Sequence, residues 1–387
     1  MIPAPETLVE RACAATGLRD LGPDGWQEGL DRLVRAATSD LALDDPSAAR
    51  LCATIHHRLT SRLRIEDWYA DQAGEVPPIG AMVVIHGLPR TATTALQYLL
   101  ACGPDFRFQR RWEISDPIPP PESGTDADDP RRLAAKARRE VGAGGSVQHI
   151  SDTDGPVDDN TILGLDFHNQ ELGLPLPSYT RWWRSSSLAT TYAYHERVLR
   201  LLQTGRPPRR WLVKAPYHNF HLSDLAAHYP EARFIMAHRD PAAAFPSACS
   251  TVLTAQCNAL PDQPPDPLDL GAFLLEHLVA GIERAMADRA VIGEHRFLDV
   301  TQKEMEADPL ATADRIYEFL GLDLVPATRR AMADWAAGNR RGARGPHRYT
   351  AETYGFRPAQ IRSAFRHYID RFGIEMEDRA RATPGVL

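Results

Sequence analysis

Four short and nearly unbroken apolar runs constrain this chain more than any other feature: "AMVVI" (81–85), "WLVKA" (211–215), "RFIMAH" (233–238) and "RFLDV" (296–300). A strand wetted on one face alternates apolar and polar residues. A parallel strand covered on both faces reads as a continuous apolar stretch, as these do. Helical patterns separate the four runs. The alternation predicts an α/β fold with a central, mostly parallel β-sheet flanked by helices.

The texture is different before residue 80. "ETLVERACAATG" has helical spacing and a Gly stop, and "GWQEGLDRLVRAATSD" repeats it through Trp26, Leu30, Leu33 and Val34. "SAARLCATIHHRLTSRLRIEDWYA" carries Leu51, Ile55, Leu59 and Leu63 at four-residue steps, and "GEVPPIG" then breaks the pattern. Residues 1–78 therefore read as an N-terminal helical segment packed on the core. Residues 79–387 read as the α/β domain, one compact unit.

Charge and cysteine usage narrow the function. A net charge of −7 argues against general nucleic-acid binding, which relies on a basic surface. The five cysteines are odd in number and include no CxxC, so neither a disulfide framework nor a zinc knuckle is suggested. "MIPAPETLVE" lacks the basic and apolar regions of a secretory signal. No apolar run approaches the ~18 residues of a membrane span. The expectation is a cytoplasmic protein without a transmembrane segment.

The first apolar run is followed by "HGLPRTATT" (86–94) and then by a credible helix, "TTALQYLL", with Leu96, Leu99 and Leu100 facing inward. Ligands of open α/β sheets bind outside the carboxyl ends of the strands. A loop there that opens a helix offers unpaired backbone N–H groups and the positive end of the helix dipole, a ready anion site. Thr93 and Thr94 add hydroxyls, and Arg90 adds a planar fork suited to phosphate or sulfate oxygens. This is not the Walker loop, since it lacks that motif's Lys and second Gly. Taken alone, it is equally compatible with a strand–turn–helix carrying an incidental Arg.

A second strand–turn–helix, "RFIMAHRDPAAAFPSACS" (233–250), sets Arg239 at a strand's carboxyl end and Ser247 two turns into the next helix. A phosphate between them would meet a charged fork and a hydroxyl. The bland alternative is a strand-end Arg and a helix-surface Ser.

Together these motifs resemble the sulfotransferases that use 3′-phosphoadenosine 5′-phosphosulfate. Their 5′-phosphosulfate loop reads roughly G-x-P-[RK]-[ST]-G-T-T, and "GLPRTATT" matches except at Ala92, where the family usually has Gly. If that position needs φ > 0, Ala costs about 1 kcal/mol or more; if φ is negative, Ala is harmless. The family binds the 3′-phosphate with an Arg and a Ser at the spacing of Arg239 and Ser247, with Asp240-Pro241 in the usual turn. "RRWEISDPIPPP", "RWLVKAPYHNFHLSDLAAHYPEARF", "FLDVTQKEMEADPLATADRIYEFLGL" and "HRYTAETYGF" are similar to segments of one bacterial branch of the family. The resemblance covers most of the chain and is weakest from roughly 120 to 200. It implies a three-layer P-loop-like fold and sulfuryl transfer to a hydroxyl or amine, with adenosine 3′,5′-bisphosphate as the other product. The nucleotide would be bound by Arg90, Thr91, Ala92, Thr93, Thr94, Arg239 and Ser247. His347 and Tyr349, in a basic C-terminal loop, would close over it.

Sulfuryl transfer, like phosphoryl transfer, is mostly positioning and electrostatics. Arg90 is the first candidate for holding charge in the transition state. Lys214 is the second: it ends "WLVKA" in a chain whose only other lysines are Lys136 and Lys303, and relatives use a Lys there to stabilise the leaving group. For the base, Glu113 in "RRWE" comes first, because some relatives use a Glu at about its distance from the loop. His218 in "APYHNFH" is the rival, displaced by two positions from the His of small-molecule sulfotransferases, and His149 is third. The structural alternatives are a cap or salt-bridge Glu and a strand-end Lys that snorkels. No metal is expected, since His218 and His221 have no third ligand at suitable spacing. The acceptor, a small molecule, lipid or glycan, stays open, as does a homo-oligomer. Tyr179, Trp182, Trp183 and Tyr192 either line its pocket or belong to the core. The competing readings are a nucleotide-dependent kinase with a variant phosphate loop, for which Asp299 is the only tempting metal ligand, and a non-catalytic nucleotide-binding relative.

Overall fold

The computed structural model of the chain describes residues 2–72, 76–121, 124, 126–141, 152–339 and 350–377. Three helices come first: α1 (Pro5–Thr16), α2 (Trp26–Ser39) and α3 (Asp45–Ala70). Asp44 caps α3 by accepting from the Ser47 N–H, and Gly17 ends α1 in the left-handed conformation that glycine adopts freely. Five parallel strands follow: β1 (Met82–Gly87), β2 (Phe106–Arg107), β3 (Arg210–Lys214), β4 (Arg233–His238) and β5 (Phe297–Thr301). Their order across the sheet is β2-β3-β1-β4-β5. The four predicted runs are all strands of this sheet. The fifth, β2, is two residues long and went unpredicted.

Side chains on β1 alternate between two cores. Met82 and Val84 join a cluster with Leu30, Leu33, Ile55 and Leu59 of the N-terminal helices. Val83 and Ile85 join another with Leu96, Leu99, Ile316 and Met332. Trp211 and Val213 follow the first pattern and Leu212 the second. Helices thus cover both faces, giving the three layers of an α/β P-loop-like fold. The N-terminal helices bury their apolar stripe in the same cluster as β1, β3 and β4.

The topology prepares the site. From β1 the chain moves to one side for β2 and β3, then crosses to the other side for β4 and β5. β1 is the pivot, and the crevice beyond its carboxyl end is where such sheets hold ligands. Among the described residues no helix is long and apolar enough to cross a membrane.

Candidate functional site

β1 ends at Gly87, with φ of 129°; a Cβ there would lie 2.4 Å from the Ala237 carbonyl oxygen of β4. Only glycine allows that approach. His86 just before it is buried, and its Nδ1 lies 2.9 Å from Asn219 Oδ1, while Asn219 Nδ2 donates to Gly87 O at 2.9 Å. The turn after β3 thereby braces the start of the loop. Thr91 Oγ1 donates to Leu88 O at 2.7 Å and closes the loop on itself. The helix α4 (Thr93–Leu100) then begins with no side chain capping it.

Two residues of the loop are left-handed without being glycine: Arg90 at φ 69° and Ala92 at φ 67°. Ala92 therefore occupies the conformation that favours Gly, and its Cβ carries a strain of about 1–2 kcal/mol. Backbone turns of this kind aim successive N–H groups into a concavity that suits anions, and the first turn of α4 adds its own unpaired amides.

The second motif reaches the first directly. Arg90 Nε donates to Ser247 Oγ at 2.9 Å, and Arg239 Nη1 donates to Arg90 O at 3.1 Å. Asp240 caps the helix Pro241–Ala259 by accepting from Ala242 N. That cap fixes the turn from which Arg239 projects. Glu377, from the C-terminal segment, also lies against the Arg239 guanidinium.

Lys214 ends β3 opposite Ile85 of β1. Its Nζ donates to Thr94 Oγ1 at 3.3 Å and forms an ion pair with Asp158. The neighbouring Asp159 is wholly buried. Its N–H donates to Lys214 O at 3.1 Å, and its carboxylate accepts from Gln109 Nε2 at 2.6 Å and from His218 Nε2 at 3.0 Å. His195 Nε2 stands 3.5 Å away. Burial pushes the Asp159 carboxyl up, but the two imidazoles outweigh it and hold it at about 2. The other nitrogen of His218, Nδ1, faces the Tyr192 hydroxyl at 3.0 Å. With Nε2 donating to the carboxylate, Nδ1 is left to accept from that hydroxyl. The His218 ring is enclosed and both its nitrogens are engaged.

Arg90, Thr94, Lys214, Arg239 and Ser247 are thus drawn together from three strand ends. Glu113 is placed differently. It lies in the short helix Arg111–Ser115 with no exposure, and its carboxylate accepts from Arg107 Nη2 at 2.7 Å, from the Arg110 N–H at 3.0 Å and from the Arg110 guanidinium. Burial raises this carboxyl, yet Arg107 and Arg110 prevail and hold it below the usual carboxylate range. A carboxylate so held is a poor proton acceptor. Tyr179, Trp183 and Tyr192 are core residues with at most 1% exposure, and Trp182 packs against that core. Asp299 is taken by Arg289 and His238. Among the described residues no group of three or more His, Cys, Asp or Glu is placed to hold a metal ion. His149, His347 and Tyr349 lie outside the described residues.

Sequence reading missed Asp158, Asp159, Asn219 and Glu377. The available signal for the first two was the pair of carboxylates in "GPVDD" just ahead of a short helix. The other two offered none.

A family model described as "Sulfotransferase family" matches residues 82–326. The solved sulfotransferase STF9 from Mycobacterium avium is 30% identical, covers 98% of this chain and 99% of its own, and superposes with a TM-score of 0.88. STF1 from Mycobacterium tuberculosis is 25% identical, covers 94% and 98%, and superposes at 0.82. A search of the curated proteins finds no match.

Proposed function

The chain belongs to the sulfotransferase family, and on that premise we propose that its donor is 3′-phosphoadenosine 5′-phosphosulfate and its acceptor a hydroxyl or amine of a small molecule, lipid or glycan. The observation that carries this reading is the contact between its two anion motifs. Arg90 of the strained loop bonds Ser247, and Arg239 bonds the Arg90 carbonyl. One nucleotide with a 5′-phosphosulfate and a 3′-phosphate would require just such an adjacency of two anion sites.

In this reading the loop amides of Thr91 to Thr94 and the Arg90 guanidinium hold the phosphosulfate, and Arg239 with Ser247 takes the 3′-phosphate. Lys214 faces the first turn of α4 through Thr94, where it can take up the charge that develops on the leaving phosphate oxygen. Transfer is in line and loose, so these fixed charges act mainly by position. The geometry favours a structural task for Glu113 and a supporting one for His218.

The reading is tested by thermal unfolding with adenosine 3′,5′-bisphosphate or ATP–Mg²⁺, on the wild type and Arg239→Ala. Ligand at 100 times its Kd adds about 2.7 kcal/mol of stability. A shift with the bisphosphate that Arg239→Ala abolishes is the expected result. A shift with ATP alone would favour a kinase instead, and no shift with either would favour a lapsed nucleotide site.

A further inference from the structure

We infer that Asp158 takes the proton from the attacking acceptor. The inference deepens the donor reading above and rests on it. Lys214 joins Asp158 to the anion loop: one ammonium touches both the Asp158 carboxylate and Thr94 Oγ1. Asp158 and the loop hydroxyl of Thr94 thus share one ammonium, which sets the carboxylate beside the loop assigned to the phosphosulfate.

Exposure separates Asp158 from the other groups nearby. A proton acceptor has to be reached by the incoming molecule. The Asp158 side chain is 36% exposed, while those of Asp159, His218 and Glu113 are all at 0%. The carboxylate is also held in place. Asp159 is tied by its N–H to the Lys214 carbonyl and by its carboxylate to Gln109 and His218. The residue beside it therefore cannot drift from the end of β3. Asp159 and His218 are positioning residues in this arrangement, and Asp158 is the group they present.

The step balances without any further reagent. The acceptor oxygen forms a bond to sulfur as its proton passes to an Asp158 oxygen. The bond from sulfur to the bridging oxygen breaks, and its electron pair leaves on the 5′-phosphate, where Lys214 meets it. Drawing Lys214 toward that phosphate also loosens it from Asp158, which frees the carboxylate as transfer begins. Among the described residues, Asp158 interacts with Lys214 from β3 and with Tyr217 from the turn after β3, whose hydroxyl is pushed up by burial and then by Asp158 and Glu171.

The test compares wild type with Asp158→Asn and Asp158→Ala. Calorimetry measures adenosine 3′,5′-bisphosphate binding, and release of bisphosphate from the phosphosulfate donor is followed with phenol, an aliphatic alcohol, an amine, or water alone. The expected result is unchanged or tighter bisphosphate binding in both variants, since Lys214 loses a competing carboxylate. Turnover falls about 100-fold or more. Variant turnover within threefold of wild type overturns the inference. So does a loss of bisphosphate binding that matches the loss of turnover, which would make Asp158 only a prop for Lys214. So does a wild type that binds the bisphosphate but transfers to none of these acceptors, since a base beside the sulfuryl group would at least deliver water. Wild type that fails to bind the bisphosphate refutes the donor reading itself, and the inference falls with it.

Discussion

Glu377 grips Arg239 with both carboxylate oxygens: Arg239 Nε donates to Oε1 at 2.7 Å and Nη2 to Oε2 at 3.1 Å. The same residue is fastened by its backbone, with its N–H donating to Asp240 Oδ2 at 2.8 Å and its carbonyl accepting from Arg362 Nη2 at 3.0 Å. A phosphate offers a guanidinium the same two-pronged geometry. With Arg239 assigned to the 3′-phosphate, nucleotide and C-terminal segment compete for one fork. Glu377→Ala is expected to tighten bisphosphate binding. An ion pair this open to water is worth up to about 1 kcal/mol, which is a factor of about 5 in Kd. Titration calorimetry on the two proteins reads it, and an unchanged Kd would mean that Glu377 does not compete with the nucleotide for Arg239.

Ala92→Gly is expected to stabilise the chain. At φ 67° the Ala92 Cβ pays for a left-handed backbone. Relief is worth about 1–2 kcal/mol, less about 0.4–1 kcal/mol for the looser unfolded chain. The net gain is about 1 kcal/mol, read as a higher urea midpoint at constant slope. Bisphosphate affinity should rise with it, because the loop no longer resists its own conformation. A lower midpoint would mean that φ at this position is negative in solution.

The legible parts of this protein are those whose cause lies within a few residues. β1, β3, β4 and β5 announce themselves because burial on both faces demands unbroken apolar runs. Arg239 and Ser247 share one strand–turn–helix, so their spacing alone suggests a shared ligand. β2 is too short, and its Arg107 too polar, to read as a strand. His86 was read as part of the loop, yet it is the buried penultimate residue of β1, because Asn219, 133 positions away, bonds its ring. Asp158 meets Lys214 across 56 positions and Glu377 meets Arg239 across 138. No local pattern encodes such meetings. Glu113 is a related case: its distance from the loop suggests a catalytic role, while its partners Arg107 and Arg110, six and three positions away, hold the carboxylate.

Glu113→Gln separates these two roles. The substitution keeps the shape but leaves Arg107 and Arg110 without their shared counter-charge; Arg110 retains Asp126. Breaking a buried pair on one side costs about 3–5 kcal/mol, so urea unfolding should show a loss near the lower end of that range. Its folded carboxyl is held below the ordinary value, so the stability it contributes is present above the unfolded pKa and fades as pH falls through the folded one. The wild-type advantage over the variant should therefore shrink in acid. Unchanged stability with abolished turnover would return Glu113 to the chemistry.

Acid should begin to destabilise this chain above the range in which its carboxylates titrate. Burial pushes His86, His221 and His277 down to about 3 from an ordinary 6.5. His277 shows why: its Nδ1 accepts from Arg184 Nε at 2.8 Å, which a protonated ring could not do. Between pH 6.5 and 3 the unfolded chain binds protons at these three positions and the folded chain does not. Stability therefore rises with pH across that window and is lost as pH falls from 6.5. Each imidazole contributes a slope of about 1.4 kcal/mol per pH unit, and the three together about 4 kcal/mol per unit near pH 5. Urea unfolding at pH 7.5, 6.0 and 5.0 should show a loss of about 2 kcal/mol over the first step and a steeper loss of about 4 kcal/mol over the second, shorter one. His221→Asn should reduce that slope by about a third, whatever it does to stability at neutral pH. A flat profile from pH 6.5 to 4.5 would mean that the folded chain carries these rings charged, against the enclosure in which each of them sits.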